Sequence, residues 1–260
     1  MTDLRPTIDR EWLERRSAQE PVLHAYSLWD LEHYPDRVRF VSAFERDAPV
    51  AYFLLWPGPA GIPVVHWYGD AASAPALARA LPDRPLVAIV PEEARDAVVA
   101  ERGGGREIPE QILWRPRGPP GAFAAGESVR RLRPSDVPDL TELARRHPDP
   151  ETGAYPHLDL DREPGWGAIR DGRVVGVARA AVRLPREWVL AGVFVEPSAR
   201  RQGRGARLVR SVVDAADADG AGVGLFVRED RTPALRLYEQ QGFRPVGRRL
   251  WLDLGSGLEP

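Results

Sequence analysis

From Val129 onward the chain alternates short apolar runs with amphipathic stretches. Val129 to Arg133 reads as a strand. Ser135 then caps a predicted helix to Arg146, with Asp136 and Asp139 in the first turn, where the positive end of the helix dipole favours acids. Trp166 to Arg170 and Arg173 to Val182 flank Asp171-Gly172, a two-residue turn signal that predicts a β-hairpin. Trp188 to Val195 is a further strand. Between Gly203 and Ala218, Leu208, Val209, Val212, Val213 and Ala216 recur at helical spacing and predict an amphipathic helix. Val223 to Val227 reads as a buried strand. Thr232 caps the next helix, with Pro233 pre-set for helical φ, and that helix carries Leu235, Leu237 and Tyr238 before Gly242 ends it. Val246 to Leu252 closes the series. The order β-α-β-β-β-α-β-α-β predicts a mixed α/β (α+β) sheet flanked by helices.

A fainter echo of that plan runs through the N-terminal half. Arg39 to Glu45 and Val50 to Trp56 bracket Arg46-Asp47-Ala48-Pro49 as a hairpin. Val64 to Tyr68 reads as a strand, Ala74 to Leu81 as a helix, and Leu86 to Val90 as a strand ended by Pro91. Between the halves, Arg115 to Gly126 (RPRGPPGAFAAG) is rich in Gly and Pro, and its Pro-Pro pair excludes regular structure. The expected organisation is an N-terminal domain at 1–117, a linker at 118–126 and a second domain at 127–260.

Composition narrows the chemistry. With 43% hydrophobic and 28% charged residues, the 260-residue chain has the make-up of a globular protein. A formal net charge of -2 gives no basic field for nucleic acid or an acidic membrane surface. The most apolar run, Ala51 to Trp56, is far too short to cross a bilayer, and the charged N-terminal stretch lacks the apolar core of a signal peptide. A cytoplasmic protein without membrane or nucleic-acid partners is therefore expected, with oligomerisation left open. The absence of cysteine removes thiolate nucleophiles and zinc-thiolate sites. The sequence also contains no Lys, so it has no Schiff-base lysine and no Walker phosphate loop, which requires one. His24, His33 and His66 lack metal-ligand spacing, and no metal is expected; His66, in an apolar strand, reads as a satisfied core or interface histidine.

The informative segment is Val193-Phe-Val-Glu-Pro-Ser-Ala-Arg-Arg-Gln-Gly-Arg-Gly-Ala-Arg-Leu208. A strand, a turn and a glycine-bearing loop open an amphipathic helix here, and the first N–H groups of a helix form an anion site. Gly203 and Gly205 remove β-carbons that would hold a pyrophosphate off those amides, while Arg200, Arg201, Arg204 and Arg207 supply guanidinium forks suited to phosphate. The dinucleotide fingerprint GxGxxG fails, because Leu208 stands where its third glycine belongs. Glu196, beside Pro197, is expected to face solvent.

Arg200-x-x-Gly203-x-Gly205, preceded by Val195-x-Pro197, resembles the acyl-CoA pyrophosphate motif of the GNAT superfamily of N-acetyltransferases. A second block, Ala234-Leu-Arg-Leu237-Tyr238-Glu-Gln-Gln-Gly242-Phe243, is similar to the same superfamily's later helix-then-strand segment. The resemblance covers about half the chain and implies a mostly antiparallel GNAT-type sheet. It implies acetyl-CoA as co-substrate and an amine acceptor that attacks the thioester directly. It also implies that the strand Trp188 to Val195 splays from Val223 to Val227, so that pantetheine binds along Val193, Phe194 and Val195. The diphosphate would lie on Arg200, Arg201, Gln202, Gly203, Arg204, Gly205 and Ala206. A backbone N–H near Val193 or Phe194 would hold the oxyanion, and Tyr238 would protonate the departing thiolate.

The sequence departs from the family twice. Arg231 stands where an Asn is frequent at the start of the last helix, and is carried over as a cofactor contact through its charge. The strand Trp188 to Phe194 contains no carboxylate to act as base. His147, Asp149, Glu151, Tyr155 and His157, in the first long loop, are the candidates to line the acceptor site. The two halves together are similar to glycine N-acyltransferase-like proteins, with the N-terminal domain a degenerate GNAT-like half, since Tyr68-Gly-Asp-Ala-Ala-Ser lacks the Arg-x-x-Gly-x-Gly loop. The competing expectation is a non-catalytic acyl-CoA sensor or interaction module.

Overall fold

The computed structural model describes residues 2–58, 61–69, 71–119, 129–148 and 158–257. The chain divides into two compact units. One comprises Met1–Ile112, Arg228–Asp230 and Val246–Glu259, and the other Leu113–Val227 with Arg231–Pro245.

The first unit begins with strand β1 (Asp3–Arg5), helices α1 (Arg10–Gln19) and α2 (Ala25–His33), and strands β2 (Arg39–Glu45), β3 (Ala48–Pro57) and β4 (Pro63–Gly69). It continues through α3 (Ala74–Arg79), β5 (Leu86–Val90), α4 (Arg95–Arg102) and β6 (Arg106–Arg115), whose residues to Ile112 belong here. Arg46 and Asp47 at the β2–β3 turn both have positive φ, 49° and 65°, the left-handed pair that tight hairpins need. Strands β2, β3 and β4 pair antiparallel, whereas β4 meets β5 in a parallel ladder from Val64↔Val87 to His66↔Ile89. Ala43, Phe53, Val65 and Trp67 form one core with Leu77 of α3 and Val98 of α4.

The second unit carries β7 (Val129–Arg131), α5 (Val137–Arg146), β8 (Gly165–Arg170), β9 (Arg173–Arg183), β10 (Glu187–Val195), α6 (Arg204–Ala218), β11 (Gly222–Arg228) and α7 (Thr232–Gln240). The last strand, β12 (Arg244–Leu254), belongs from Val246 onward to the first unit, and there Leu250–Leu254 pairs antiparallel with β5. Within the second unit the strand order is β11-β10-β9-β8-β7. The β10/β9, β9/β8 and β8/β7 ladders are antiparallel, and β10/β11 is parallel. The mixed sheet flanked by helices is the one the hydrophobic pattern predicts, and its mostly antiparallel pairing is what the family resemblance implies. Asp171 (φ 52°) and Gly172 (φ 75°) make the expected β8–β9 hairpin. Leu208, Val209, Val212, Val213 and Ala216 of α6 are all fully buried against this sheet. Burial on that scale is worth about 1.5–3 kcal/mol for each Val or Leu.

Several local readings need correction. Ser135 does not cap α5: a single 3-10 turn, Pro134–Asp136, precedes it, and the Asp136 carboxylate accepts the Arg133 N–H at 2.7 Å. Arg231, not Thr232, is the residue before α7, with Thr232 its first helical residue. Helices α1, α2 and α4 and strands β1 and β6 are absent from the sequence reading. The α1 face buries only Leu13 and Ser17, too little to register as a period. His66 is half-buried, and its Nδ1, shut off from solvent, finds no hydrogen-bond partner among the described residues, so it is not a satisfied histidine. Burial, with a smaller contribution from Arg249, pushes its pKa down to about 3.

Candidate acyl-CoA site

Strand β10 carries the geometry that matters. Its parallel ladder with β11 runs Glu187↔Gly222, Trp188↔Val223 and Val189↔Gly224, and among the described residues the pairing goes no further. On its other side β10 stays paired with β9 as far as Val195↔Gly176. Between Ala191 and Phe194 three steps on β10 face two on β9, a bulge built around Gly192 at φ 61°. A side chain at Gly176 would put its Cβ 2.9 Å from the Phe194 carbonyl oxygen, so glycine there lets the two strands close. Beyond the bulge, Val193 and Val195 pack on the α6 side of the sheet, while Phe194 packs with Leu140 and Leu143 of α5.

The loop after β10 is held by its own backbone. The Glu196 N–H donates to the Val175 carbonyl (2.9 Å), and Pro197–Ala199 makes one 3-10 turn. Arg200 Nε donates to the Val195 carbonyl at 2.8 Å, with its guanidinium 5.8 Å from the Phe194 ring centre. Arg204 donates to the Ala199 carbonyl at 3.2 Å and to the Gln202 side chain. These two arginines therefore brace the loop, whereas Arg201 and Arg207 are exposed. Arg207 N–H donates to the Gly203 carbonyl (3.1 Å), the first turn of α6, so the amides of Arg204, Gly205 and Ala206 open the helix. Fifteen residues of aligned peptide dipoles stand behind them. A cavity of about 370 Å³ lies alongside, lined by Ala206, Arg207, Arg210, Gln240 and Gln241.

The two glycines serve different ends. Gly203 adopts φ 72°, a left-handed turn residue at the helix start, and a Cβ there would touch nothing within 4 Å. Gly205 is helical, and its added Cβ would lie 3.2 Å from Leu237 Cδ1, so it admits α7 against α6. Arg201, at φ 59°, holds the same left-handed region without glycine's freedom.

Of the other predicted residues, Arg231 is exposed at the N-terminus of α7, where its carbonyl accepts the Ala234 N–H (2.9 Å). Tyr238 is 7% exposed and belongs to the hydrophobic core of the unit. Its ring meets Phe243 edge-on at 5.8 Å, and its carbonyl accepts the Phe243 N–H as Gly242 (φ 89°) turns the chain out of α7. Asp149, Glu151, Tyr155 and His157 lie outside the described residues.

Glu196 overturns its expectation. It is 3% exposed rather than solvated. Arg146 of α5 and Arg170 of β8 donate to its two oxygens at 3.0 and 2.6 Å, and Ser198 Oγ adds a third bond at 2.8 Å. Burial alone would raise its pKa, but the bonds from Ser198 and Arg146 and the two guanidinium charges hold it below the usual carboxylate range. No sequence signal marks this cluster, because its arginines lie 50 and 26 residues away.

Residues 130–243 match the family of GNAT acetyltransferases. Over that segment the chain is similar to the GNAT superfamily. The mycothiol acetyltransferase of Brachybacterium faecium is 33% identical to it over 117 residues, 40% of this chain and 35% of that protein. The N-alpha-acetyltransferase RimI of Mycobacterium tuberculosis is 37% identical over 86 residues, 32% of this chain and 53% of that protein. The chain thus spans about half or less of the curated relatives it matches. A tandem GNAT protein from the clavulanic acid biosynthesis pathway shares this chain's fold, with a TM-score of 0.61 and 17% identity across 98% of this chain and 99% of that one.

Proposed function

We propose that this chain is an N-acetyltransferase that moves the acetyl group of acetyl-CoA to a primary amine. The observation that carries this reading is the end of the β10/β11 ladder at Val189↔Gly224, followed directly by the loop that opens α6. In this reading the backbone of β10 around Val193, Phe194 and Val195, past the end of its ladder with β11, receives the pantetheine. The amides from Arg201 to Ala206 receive the diphosphate, with Arg200, Gln202 and Arg204 holding their conformation and Arg231 adding charge from α7. An N–H at Val193 or Phe194 meets the carbonyl oxygen as it gains negative charge, where a fixed donor is worth most. The amine attacks the thioester carbon directly, and the Tyr238 hydroxyl supplies a proton to the leaving sulfur.

The catalytic domain in this proposal is 127–260, joined through 118–126 to an N-terminal, degenerate GNAT-like domain at 1–117. The likeness to a tandem GNAT structure over nearly the whole chain supports the two-half plan. The acceptor is a primary amine, a choice supported by a relative named for N-alpha acetylation.

A comparison of wild type with Tyr238→Phe tests the chemistry. With glycine, spermidine, an aminoglycoside and a peptide with a free N-terminus as acceptors, the variant should bind acetyl-CoA normally. It should release CoA at least about 100-fold more slowly, the loss expected for a missing general acid. A wild type that binds acetyl-CoA and releases no CoA with any of them would instead be a sensor.

A further inference from the structure

Resting on the transfer reading above, we propose that His147 is the base that takes the proton from the acceptor amine. Neither β10 nor the loop after it offers a carboxylate for this step. Glu187 is buried at the start of β10, on the far side of the ladder from the splayed segment, and Glu196 is committed to Arg146 and Arg170. His147 directly follows α5, and its N–H donates to the Leu143 carbonyl at 3.1 Å, which fixes the backbone that bears the ring. Its imidazole lies 5.5 Å from the Phe194 ring, centre to centre, on the α5 side of the sheet. Phe194 is one of the residues at which the thioester is placed. The ring's Nε2 is 3.9 Å from Glu196 Oε2, and the side chain remains 27% exposed, so a substrate can reach it.

This arrangement has the parts of a general base: a solvent-reachable imidazole, a nearly dry carboxylate close by, and the reacting strand in front. Arg146, Arg170 and Ser198 hold Glu196 from three sides, so the carboxylate is a fixed negative charge 3.9 Å from the imidazole Nε2. In the step itself the amine nitrogen forms a bond to the thioester carbonyl carbon, and the carbon–sulfur bond breaks. The amine proton passes to the imidazole, the sulfur leaves with the electron pair and is protonated from Tyr238, and water returns both side chains to their starting protonation. No oxidant or further reactant is needed.

The experiment compares wild type, His147→Ala and His147→Gln in the full chain, using the same four amines and acetyl-CoA. Acetyl-CoA binding by titration should be unchanged in both variants, which also reports that the unit is folded. The rate of CoA release should fall about 100-fold or more in both. Adding imidazole should restore turnover to His147→Ala, where a space is left, and do nothing for His147→Gln. Turnover close to wild type in either variant, or a loss in His147→Ala that imidazole does not relieve, would overturn the assignment to His147. Failure of the wild type to turn over any amine would instead defeat the transfer reading itself.

Discussion

Arg170 Nη2 donates to Glu196 Oε1 across 2.6 Å, tying the end of β8 to the first residue after β10. Arg146 approaches the other carboxylate oxygen at 3.0 Å, so one buried acid joins the end of α5, the β8 hairpin strand and the start of the glycine loop. Loop geometry in this unit is therefore set by a charge cluster as well as by the backbone.

Replacing Glu196 by Gln should cost about 2 kcal/mol, less than a fully buried pair because both arginines are about one-third exposed. The native pKa lies below the ordinary 4.5, so as pH falls the unfolded chain takes up the proton first. The carboxylate's contribution is complete above that ordinary value and disappears as pH falls through the native one. Urea unfolding at pH 7 and at pH 3.5 should show a smaller difference between the two proteins in acid. Equal differences at both pH values would rule out the charge cluster as the source.

The glycines of the loop should respond unequally to alanine. Gly203→Ala puts a β-carbon on a residue at φ 72°, a cost of about 1–2 kcal/mol with no steric part. In Gly205→Ala the Leu237 methyl must give by a few tenths of an ångström, and alanine's better helix propensity offsets this by up to about 1 kcal/mol. Thermal unfolding should therefore rank Gly205→Ala above Gly203→Ala, and the reverse order would refute this division of roles.

His66 predicts an acid-sensitive first unit. Its pKa drops from 6.5 to about 3 on folding. Between those values the unfolded chain holds a proton that the native chain does not, so stability falls as pH drops through this window. Above pH 6.5 neither state is protonated, and below about 3 both are. The loss is on the order of 4 kcal/mol across the window. His66→Leu should remove most of that slope in unfolding measured from pH 7 to pH 4, and an unchanged slope would acquit the histidine.

How far the sequence foretold the structure depended on the range of the interactions involved. Asp171-Gly172 announced its hairpin because a two-residue turn is a local matter, and the stripe from Leu208 to Ala216 announced α6 for the same reason. The glycine loop was legible as a motif, although the reason for Gly205 lies in Leu237, more than thirty residues on. Glu196 was misread because a Glu beside a Pro looks solvated until Arg146 and Arg170 are brought to it by the fold. Likewise, nothing local in Leu250–Leu254 says that its partner is Leu86–Val90, more than 150 residues earlier. Helix α1 was missed because most of its residues face solvent and leave little apolar period to detect.

The central claim is that acetyl-CoA binds with its diphosphate on the amides at the start of α6. Titration calorimetry of acetyl-CoA into wild type and Gly203→Glu tests it most directly, with circular dichroism confirming that the variant is folded. The account predicts saturable one-site binding to wild type and none to the variant, whose carboxylate sits where the diphosphate belongs. Undiminished binding to a folded Gly203→Glu would contradict it.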